Sequence, residues 1–324
     1  MPPLRRTHGE LTRVPTTVVP LGERCRAVVE QPALDGVWLV QLPGTTADPS
    51  IFPPDRSLPT VSFDFRELQL DPTAGADDRS PFHVFHRKLD LGLGEALAAH
   101  EVRHLVIVGH SFGGMLGLDW LLDRPLEVLR AHLPTLEHVT LVLACAAHRS
   151  PLDEYRIRSD APLVGPFATW LSRHVMQLGT TSKARLERVM GLLGREPPKA
   201  LWRIAPGTRD ELEFCSPLPK ASSVDHFWQV VQCARTYDTR TRLAESGRLW
   251  FDLLILSAEH DAQWAPSLFE ELWALVPASG LRYARWCAFR GDDHLGFARN
   301  PVKYYKEIKD FVAETRAQRG LEGA

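Results

Sequence analysis

The sequence predicts an α/β fold, in which a mostly parallel, doubly wound central sheet is flanked by helices and carries an inserted helical cap. Two observations predict this class. Short apolar runs typical of buried strands alternate with segments of helical periodicity. The alternation stops near residue 148 and resumes near residue 246, and between them the pattern is helical, broken by prolines, with no run typical of a buried strand.

The predicted strands and helices follow one another in a regular order. The strands are the apolar or alternating runs at 36–42, 60–65, 104–109, 138–145, 250–258 and 281–289. The helices are the segments of helical spacing at 83–100, 112–123, 266–275 and 300–316. The run HLVIVG is apolar almost throughout, which is typical of a central parallel strand buried on both faces. We therefore expect a core of residues 1–147 and 246–324, with residues 148–245 as the cap.

Length, charge and cysteine content restrict the class of protein further. The chain has 324 residues and a net charge of −2 with mixed charges, so nothing favours nucleic acid or an anionic membrane as a partner. No apolar run approaches the roughly 20 residues of a membrane span, and the N-terminus lacks the apolar stretch of a signal peptide. The five cysteines form no C-x-x-C pair. We expect a cytoplasmic protein without a metal or cofactor.

The stretch GHSFGG at residues 109–114 contains the first candidate catalytic group, Ser111. G-x-S-x-G is a short pattern, but here a strand is predicted before it and a helix after it. A serine on a sharp strand-to-helix turn has strained backbone angles, and small neighbours let strand and helix approach each other. The backbone N–H of Phe112 then lies at a helix start, where it can stabilise an oxyanion. The alternative is a structural glycine turn with an incidental serine.

The later strands end beside groups that could activate this hydroxyl. A catalytic serine needs a histidine base and an acid that fixes the tautomer of the base, here in the chain order serine, acid, histidine. Two loops satisfy this order. The first follows the strand at 250–258 and contains Glu259, His260 and Asp261, and the second follows the strand at 281–289 and contains Asp292, Asp293 and His294.

Three motifs together resemble the α/β-hydrolase superfamily, in its capped esterase, peptidase and thioesterase-like branch. GHSFGG resembles the nucleophile elbow of this family, LLILSAEHDAQWAP its strand and acid loop, and GDDHLGFARNP its catalytic-histidine segment. The resemblance covers residues 25–147 and 246–316. It implies Ser111 as the nucleophile, Asp261 as the acid and His294 as the base. Glu259 and Asp293 are the rival acids.

The resemblance also implies a second oxyanion donor in the loop after the strand at 36–42. The family commonly has His-Gly there, whereas this chain has Pro43-Gly44-Thr45, so the backbone N–H of Thr45 is the expected donor. The alternative is a tight turn with no catalytic part. A cap in this place roofs the pocket, so some aromatic side chains are expected to contact an apolar acyl or alcohol group of the substrate, although such residues more often form the core. The candidates are Trp170, Phe227, Trp228 and Trp264.

These residues together predict a serine hydrolase, most of all an esterase, that cleaves a carboxylic ester, thioester or small amide through an acyl-enzyme on Ser111. Two alternatives stay open. An acyltransferase would use the same triad, with an alcohol or amine in place of water. A non-catalytic binding protein of this fold usually lacks a member of the triad, and all three residues occur here. The sequence of the cap indicates no particular substrate, and the oligomeric state is open.

Overall fold

The computed structural model describes residues 16–20, 26–30, 36–44, 51–52, 58–65, 81–151, 170, 224–245, 249–261 and 263–320. Most of the expected cap lies outside these ranges, so the division of the chain into a core and a cap stays a prediction. The two ends of the expected cap are described, namely residues 148–151 and 224–245.

One sheet of eight strands runs through the described residues, in the order β1-β2-β4-β3-β5-β6-β7-β8. The strands are β1 Thr16–Pro20, β2 Arg26–Glu30, β3 Val37–Leu42, β4 Thr60–Asp64, β5 His104–His110, β6 His138–Ala144, β7 Asp252–Ala258 and β8 Ala284–Phe289. Strand β2 pairs antiparallel with both β1 and β4, whereas the six strands from β3 to β8 pair parallel to one another. The expected doubly wound, mostly parallel sheet is therefore confirmed.

Helices cover both faces of this sheet. They are α1 His83–Leu97, α2 Phe112–Asp123, α3 Leu126–His132, α4 Val224–Thr236, α5 Arg240–Glu245, α6 Pro266–Ser279, α7 Gly296–Arg299 and α8 Pro301–Gln318. One apolar cluster joins Leu105 and Ile107 of β5 to α1, α2 and α6, and a second joins Val106 and Val108 of β5 to α8. Because alternate residues of β5 face two different apolar layers, the strand is apolar throughout. No described helix has both the length and the apolar character of a membrane span.

The sequence located the six parallel strands to within three residues at each end, but it missed four other elements, namely β1, β2, α3 and α7. Strands β1 and β2, TTVVP and RAVVE, are short and contain proline or charged residues at their ends, so they lack the apolar run of a buried strand. Helix α3 has only seven residues and follows Pro125, beyond residue 123, where the predicted helix at 112–123 ends. Helix α7 has only four residues and starts two residues after His294.

Candidate active site

The parallel strands bring three loops together at the carboxyl edge of the sheet. The register pairs His110 of β5 with Ala144 of β6, and Ala258 of β7 with Phe289 of β8. The chain segments that leave these strands therefore start from one edge, which is where ligands bind in parallel α/β sheets. The segments after β5, β7 and β8 contain Ser111, Asp261 and His294, respectively.

Ser111 occupies a strained turn between β5 and α2. Its backbone angles are φ 54° and ψ −120°, in a region that L-residues rarely adopt and that costs about 1–3 kcal/mol. Hydrogen bonds hold this conformation: the Ser111 N–H donates to the carbonyl of Ala144 at 3.0 Å, and the Ser111 carbonyl accepts from the Gly114 N–H at 3.0 Å. The strand-turn-helix context that the sequence predicts for GHSFGG is therefore present.

The glycines on either side of Ser111 are needed because backbone segments approach closely there. A Cβ on Gly113 would lie 1.9 Å from the carbonyl oxygen of Leu42 at the end of β3, and a Cβ on Gly109 would lie 2.4 Å from the carbonyl oxygen of Gly113. Side-chain rotation cannot relieve either overlap, because both involve backbone atoms. The pattern G-x-S-x-G is thus explained by the packing of the turn between β3, β5 and α2.

Gly113→Ala is expected to lower the free energy of unfolding by about 3 kcal/mol, since the new methyl group overlaps the Leu42 carbonyl and must displace β3 or α2. Urea unfolding followed by circular dichroism measures this loss. Gly94→Ala in α1 is the matched control: its Cβ would lie 3.6 Å from His132 Nδ1, an ordinary contact, and alanine favours a helix by up to about 1 kcal/mol. Equal losses in the two variants would contradict the argument from backbone overlap.

Asp261 and His294 form a buried hydrogen-bonded pair. His294 Nδ1 lies 2.9 Å from Asp261 Oδ2, and the two side chains are 5% and 0% exposed. The other carboxylate oxygen, Oδ1, accepts the backbone N–H groups of Gln263 at 2.8 Å and Trp264 at 2.9 Å. A neutral His294 ring that donates from Nδ1 has an unprotonated Nε2, which can accept a proton.

The two rival acids make different contacts. The Glu259 side chain is 52% exposed and its Oε2 accepts the backbone N–H of Gly291 at 2.9 Å. Asp293 accepts the backbone N–H of Leu295 at 3.0 Å through Oδ1, and its Oδ2 binds the Arg299 guanidinium. These contacts organise the loop after β8. Of the three candidate acids, Asp261 is the buried one that bonds to the His294 ring.

The loop after β3 lies directly beside Ser111. A Cβ on Gly44 would lie 3.3 Å from Ser111 Cβ and 3.3 Å from the Nδ1 atom of His110. Thr45, the expected second oxyanion donor, falls outside the described residues, so its role stays a prediction. Phe112, the expected first donor, opens α2, and its ring packs against Phe82 with centroids 6.0 Å apart.

The four aromatic residues expected to bind substrate lie in different environments. Trp264 is only 1% exposed and belongs to the apolar core below the sheet edge, although its backbone N–H bonds to Asp261. Trp170 is 53% exposed, and Trp228 in α4 is half-buried. Phe227 lies in α4, but its side chain is outside the described part. Substrate contact by these residues stays a prediction.

Two residues near the acid and base were not identified from the sequence. Cys145 directly follows β6, has φ 50°, and its thiol lies within electrostatic reach of the Asp261 carboxylate. Burial, followed by the Asp261 carboxylate, raises the pKa of the Cys145 thiol well above its usual value, so the thiol stays protonated. His110 bonds to the backbone of His294. Their positions in the sequence could have identified them, because His110 directly follows one predicted parallel strand and Cys145 lies at the end of the next.

Two groups of three described residues have the composition of a metal site, and both are engaged within the protein. They are His110, Cys145 and His294, and His86, Asp119 and Asp123. In the first group, the two histidine rings make the hydrogen bonds described above, and the Cys145 thiol is protonated. In the second, the Arg242 guanidinium binds one oxygen of each of the two carboxylates at 2.6 Å, so its positive charge already offsets part of their negative charge.

The arrangement is that of the α/β-hydrolase class. In this class a parallel sheet has a strained serine turn after a central strand, and here an aspartate–histidine pair follows the last two strands. A profile of the Alpha/beta hydrolase family matches residues 20–307, so the chain belongs to this family. None of the curated proteins gives a significant match.

Solved structures share this fold at low sequence identity. A hydrolase from Pseudomonas aeruginosa PA01 is 19% identical with a TM-score of 0.55, and the alignment covers 92% of this chain and 98% of that one. An esterase from Exiguobacterium antarcticum is 16% identical with a TM-score of 0.54, over 89% and 96% of the two chains. A 2-hydroxy-6-oxo-6-phenylhexa-2,4-dienoate hydrolase from Rhodococcus sp. strain RHA1 is 13% identical with a TM-score of 0.53, over 93% and 99%. These similarities show the fold.

Proposed function

We propose that this protein is a serine hydrolase, which cleaves a carboxylic ester, a thioester or a small amide through an acyl-enzyme on Ser111. The observation that carries the proposal is the buried 2.9 Å hydrogen bond between His294 Nδ1 and Asp261 Oδ2, at the sheet edge from which the strained Ser111 turn also starts. An acid that fixes the tautomer of a histidine is what a serine nucleophile requires. The esterase among the structures of the same fold is in keeping with this reaction class.

The proposed reaction proceeds in two halves. Ser111 Oγ attacks the substrate carbonyl while its proton passes to His294 Nε2, and the Asp261 carboxylate stabilises the imidazolium that forms. The backbone N–H groups of Phe112 and Thr45 hold the oxyanion of the tetrahedral intermediate. Its collapse breaks the bond to the leaving group, which takes the proton from His294. Water then gives a proton to His294 as it attacks the acyl-enzyme, and the second tetrahedral intermediate releases the acid while Ser111 Oγ takes the proton back from His294.

The substrate is proposed to have an apolar acyl or alcohol group. Residues 148–245 would form a cap over the carboxyl edge of the sheet, and the exposed Trp170 ring and half-buried Trp228 ring are available as contacts within it. Phe227 and Trp264 complete the proposed set. A panel of p-nitrophenyl esters of increasing acyl length, run beside acyl thioesters and aminoacyl p-nitroanilides, identifies the preferred bond and chain length.

A fluorophosphonate probe tests the proposed nucleophile directly. The native protein is expected to form a covalent adduct that peptide mass spectrometry locates on Ser111, because the probe phosphonylates a serine activated by a histidine. Protein unfolded in urea is the control and should remain unlabelled, since unfolding separates Ser111 from His294. A native protein that does not react, or an adduct located on another residue, would rule out the proposed function.

A further inference from the structure

We propose that His110 is a positioning residue for the catalytic base, which it holds in place by donating a hydrogen bond from its ring to the backbone carbonyl of His294. The inference rests on the proposed function, since it assigns His294 as the base. His110 is the residue before Ser111, so one peptide bond connects this donor to the nucleophile.

The geometry of this contact is that of a firm hydrogen bond. His110 Nε2 lies 2.8 Å from the His294 carbonyl oxygen, and the centroids of the two imidazole rings are 4.8 Å apart with an angle of 51° between their planes. His110 is the last residue of β5 and is only 1% exposed. A hydrogen bond buried in this way is not exchanged for one to water, so its loss leaves a buried carbonyl without that donor.

The protonation state of His110 follows from its partner. A carbonyl oxygen only accepts, so Nε2 carries the proton and Nδ1 of the neutral ring does not. Burial, followed by the proximity of His294, lowers the pKa of His110 to about 3, which keeps the ring neutral at neutral pH. A neutral neighbour matters here, because a second positive ring at this distance would disfavour the imidazolium that His294 becomes during the reaction.

Hydrogen bonds tie the loop after β8, residues 290–295 (the base loop), both to β5 and to the loop after β7 that begins at Glu259 (the acid loop). The backbone N–H of His260 donates to the carbonyl of Asp292 at 2.9 Å, and Glu259 accepts from Gly291, so these contacts tie the base loop to the acid loop. His110 instead ties it to β5 and thus to Ser111. The acid and base are therefore fixed to each other by one set of bonds, and to the nucleophile by the other.

Two substitutions at this position separate hydrogen bonding from packing. Leucine in His110→Leu fills space but cannot donate, whereas the amide Nε2 of glutamine in His110→Gln can reach the carbonyl as the imidazole does. We expect His110→Leu to lower kcat and the rate of fluorophosphonate labelling by about 10–100-fold, with KM within about twofold, because a shift of the base by about 1 Å misaligns proton transfer. His110→Gln is expected to recover most of this loss.

His104 provides the matched control on the same strand. It is equally buried, at 1% exposure, and its Nε2 bonds to Thr140 Oγ1 at 2.9 Å, but it lies at the opposite end of β5 from Ser111. His104→Leu and His104→Gln are expected to lower the melting temperature without changing the labelling rate per folded molecule. If His110→Leu does not fold, His110→Asn replaces it in the comparison with His110→Gln, since the shorter amide does not reach the carbonyl.

The outcomes separate this inference from the function on which it rests. If the native protein is not labelled on Ser111, both proposals fail. If the native protein is labelled, the inference alone is overturned by a His110→Leu rate equal to that of the native protein, by a glutamine variant no faster than the leucine or asparagine variant, or by an equal loss in His104→Leu. Loss in His110→Leu with recovery in His110→Gln and no change at His104 supports it.

Discussion

Ser111→Ala is expected to lower kcat for the preferred ester by about 10⁶-fold while KM changes little, because the variant keeps the binding site and loses only the nucleophile. The residual rate comes from the oxyanion donors and from substrate binding. The free energy of unfolding should stay within about 1 kcal/mol of the native value, because alanine and serine both carry a Cβ at the φ of 54° and experience the same backbone strain. Steady-state hydrolysis and urea unfolding measure the two quantities.

Ser257→Ala is the matched control for this change. Ser257 is also a buried serine near the carboxyl edge of the sheet, where its Oγ accepts a hydrogen bond from Trp286 Nε1 at 2.8 Å. Its removal should cost some stability and leave kcat within a factor of about three, because this hydroxyl already bonds within the core. A Ser111→Ala protein that retains a tenth of the native kcat would show that another group attacks the substrate.

Asp261→Asn is expected to lower kcat by about 10⁴-fold, because the amide forces His294 into the wrong tautomer. The Oδ1 position accepts two backbone N–H groups, from Gln263 and Trp264, so the amide oxygen of asparagine must occupy it. The NH₂ group then faces His294 Nδ1 and donates to it. A ring that accepts at Nδ1 carries its proton on Nε2, where it cannot receive the proton of Ser111.

The rival acids supply the controls for this prediction. Glu259→Gln and Asp293→Asn are expected to lower kcat less than about tenfold, because their carboxylates contact Gly291 in one case and Leu295 and Arg299 in the other. The pH dependence of the rate gives a second comparison. The acidic limb of the pH–rate profile reports protonation of the base, and only the loss of the true acid should shift that limb. A larger loss from either control than from Asp261→Asn would move the acid to that residue.

The sequence predicted those features that depend on local patterns. Buried parallel strands are apolar runs, and the turn around Ser111 needs small residues at Gly109 and Gly113. Each feature can therefore be recognised in a short stretch of consecutive residues. Chain order then placed Asp261 and His294 at the same edge as Ser111. Which of the neighbouring acids bonds to His294 needed the family resemblance, because sequence order alone treats the acids at 259 and 261 alike.

The contacts that no pattern revealed join distant parts of the chain. His110 and the His294 carbonyl are 184 residues apart in sequence, and Cys145 meets Asp261 only because β6 lies between β5 and β7 in the sheet. Such contacts follow from strand order and register, which are properties of the whole sheet. Strands β1 and β2 were missed for a different reason. They extend the sheet beyond β4, β1 paired with β2 and β2 with β4, and both are short segments without a continuous apolar run.

The strand order also has a consequence for the newly synthesised chain. Ser111 follows a central strand, whereas Asp261 and His294 follow β7 and β8, the last two strands to be made and the outermost on their side. At about 5–20 residues per second, ribosomes need roughly 10–40 s to extend the chain from Ser111 to His294. His294 is absent throughout that interval, and Asp261 is absent for most of it. If Ser111 acts as proposed, a nascent chain therefore gains an activated serine only after β8 has been made and has paired with β7.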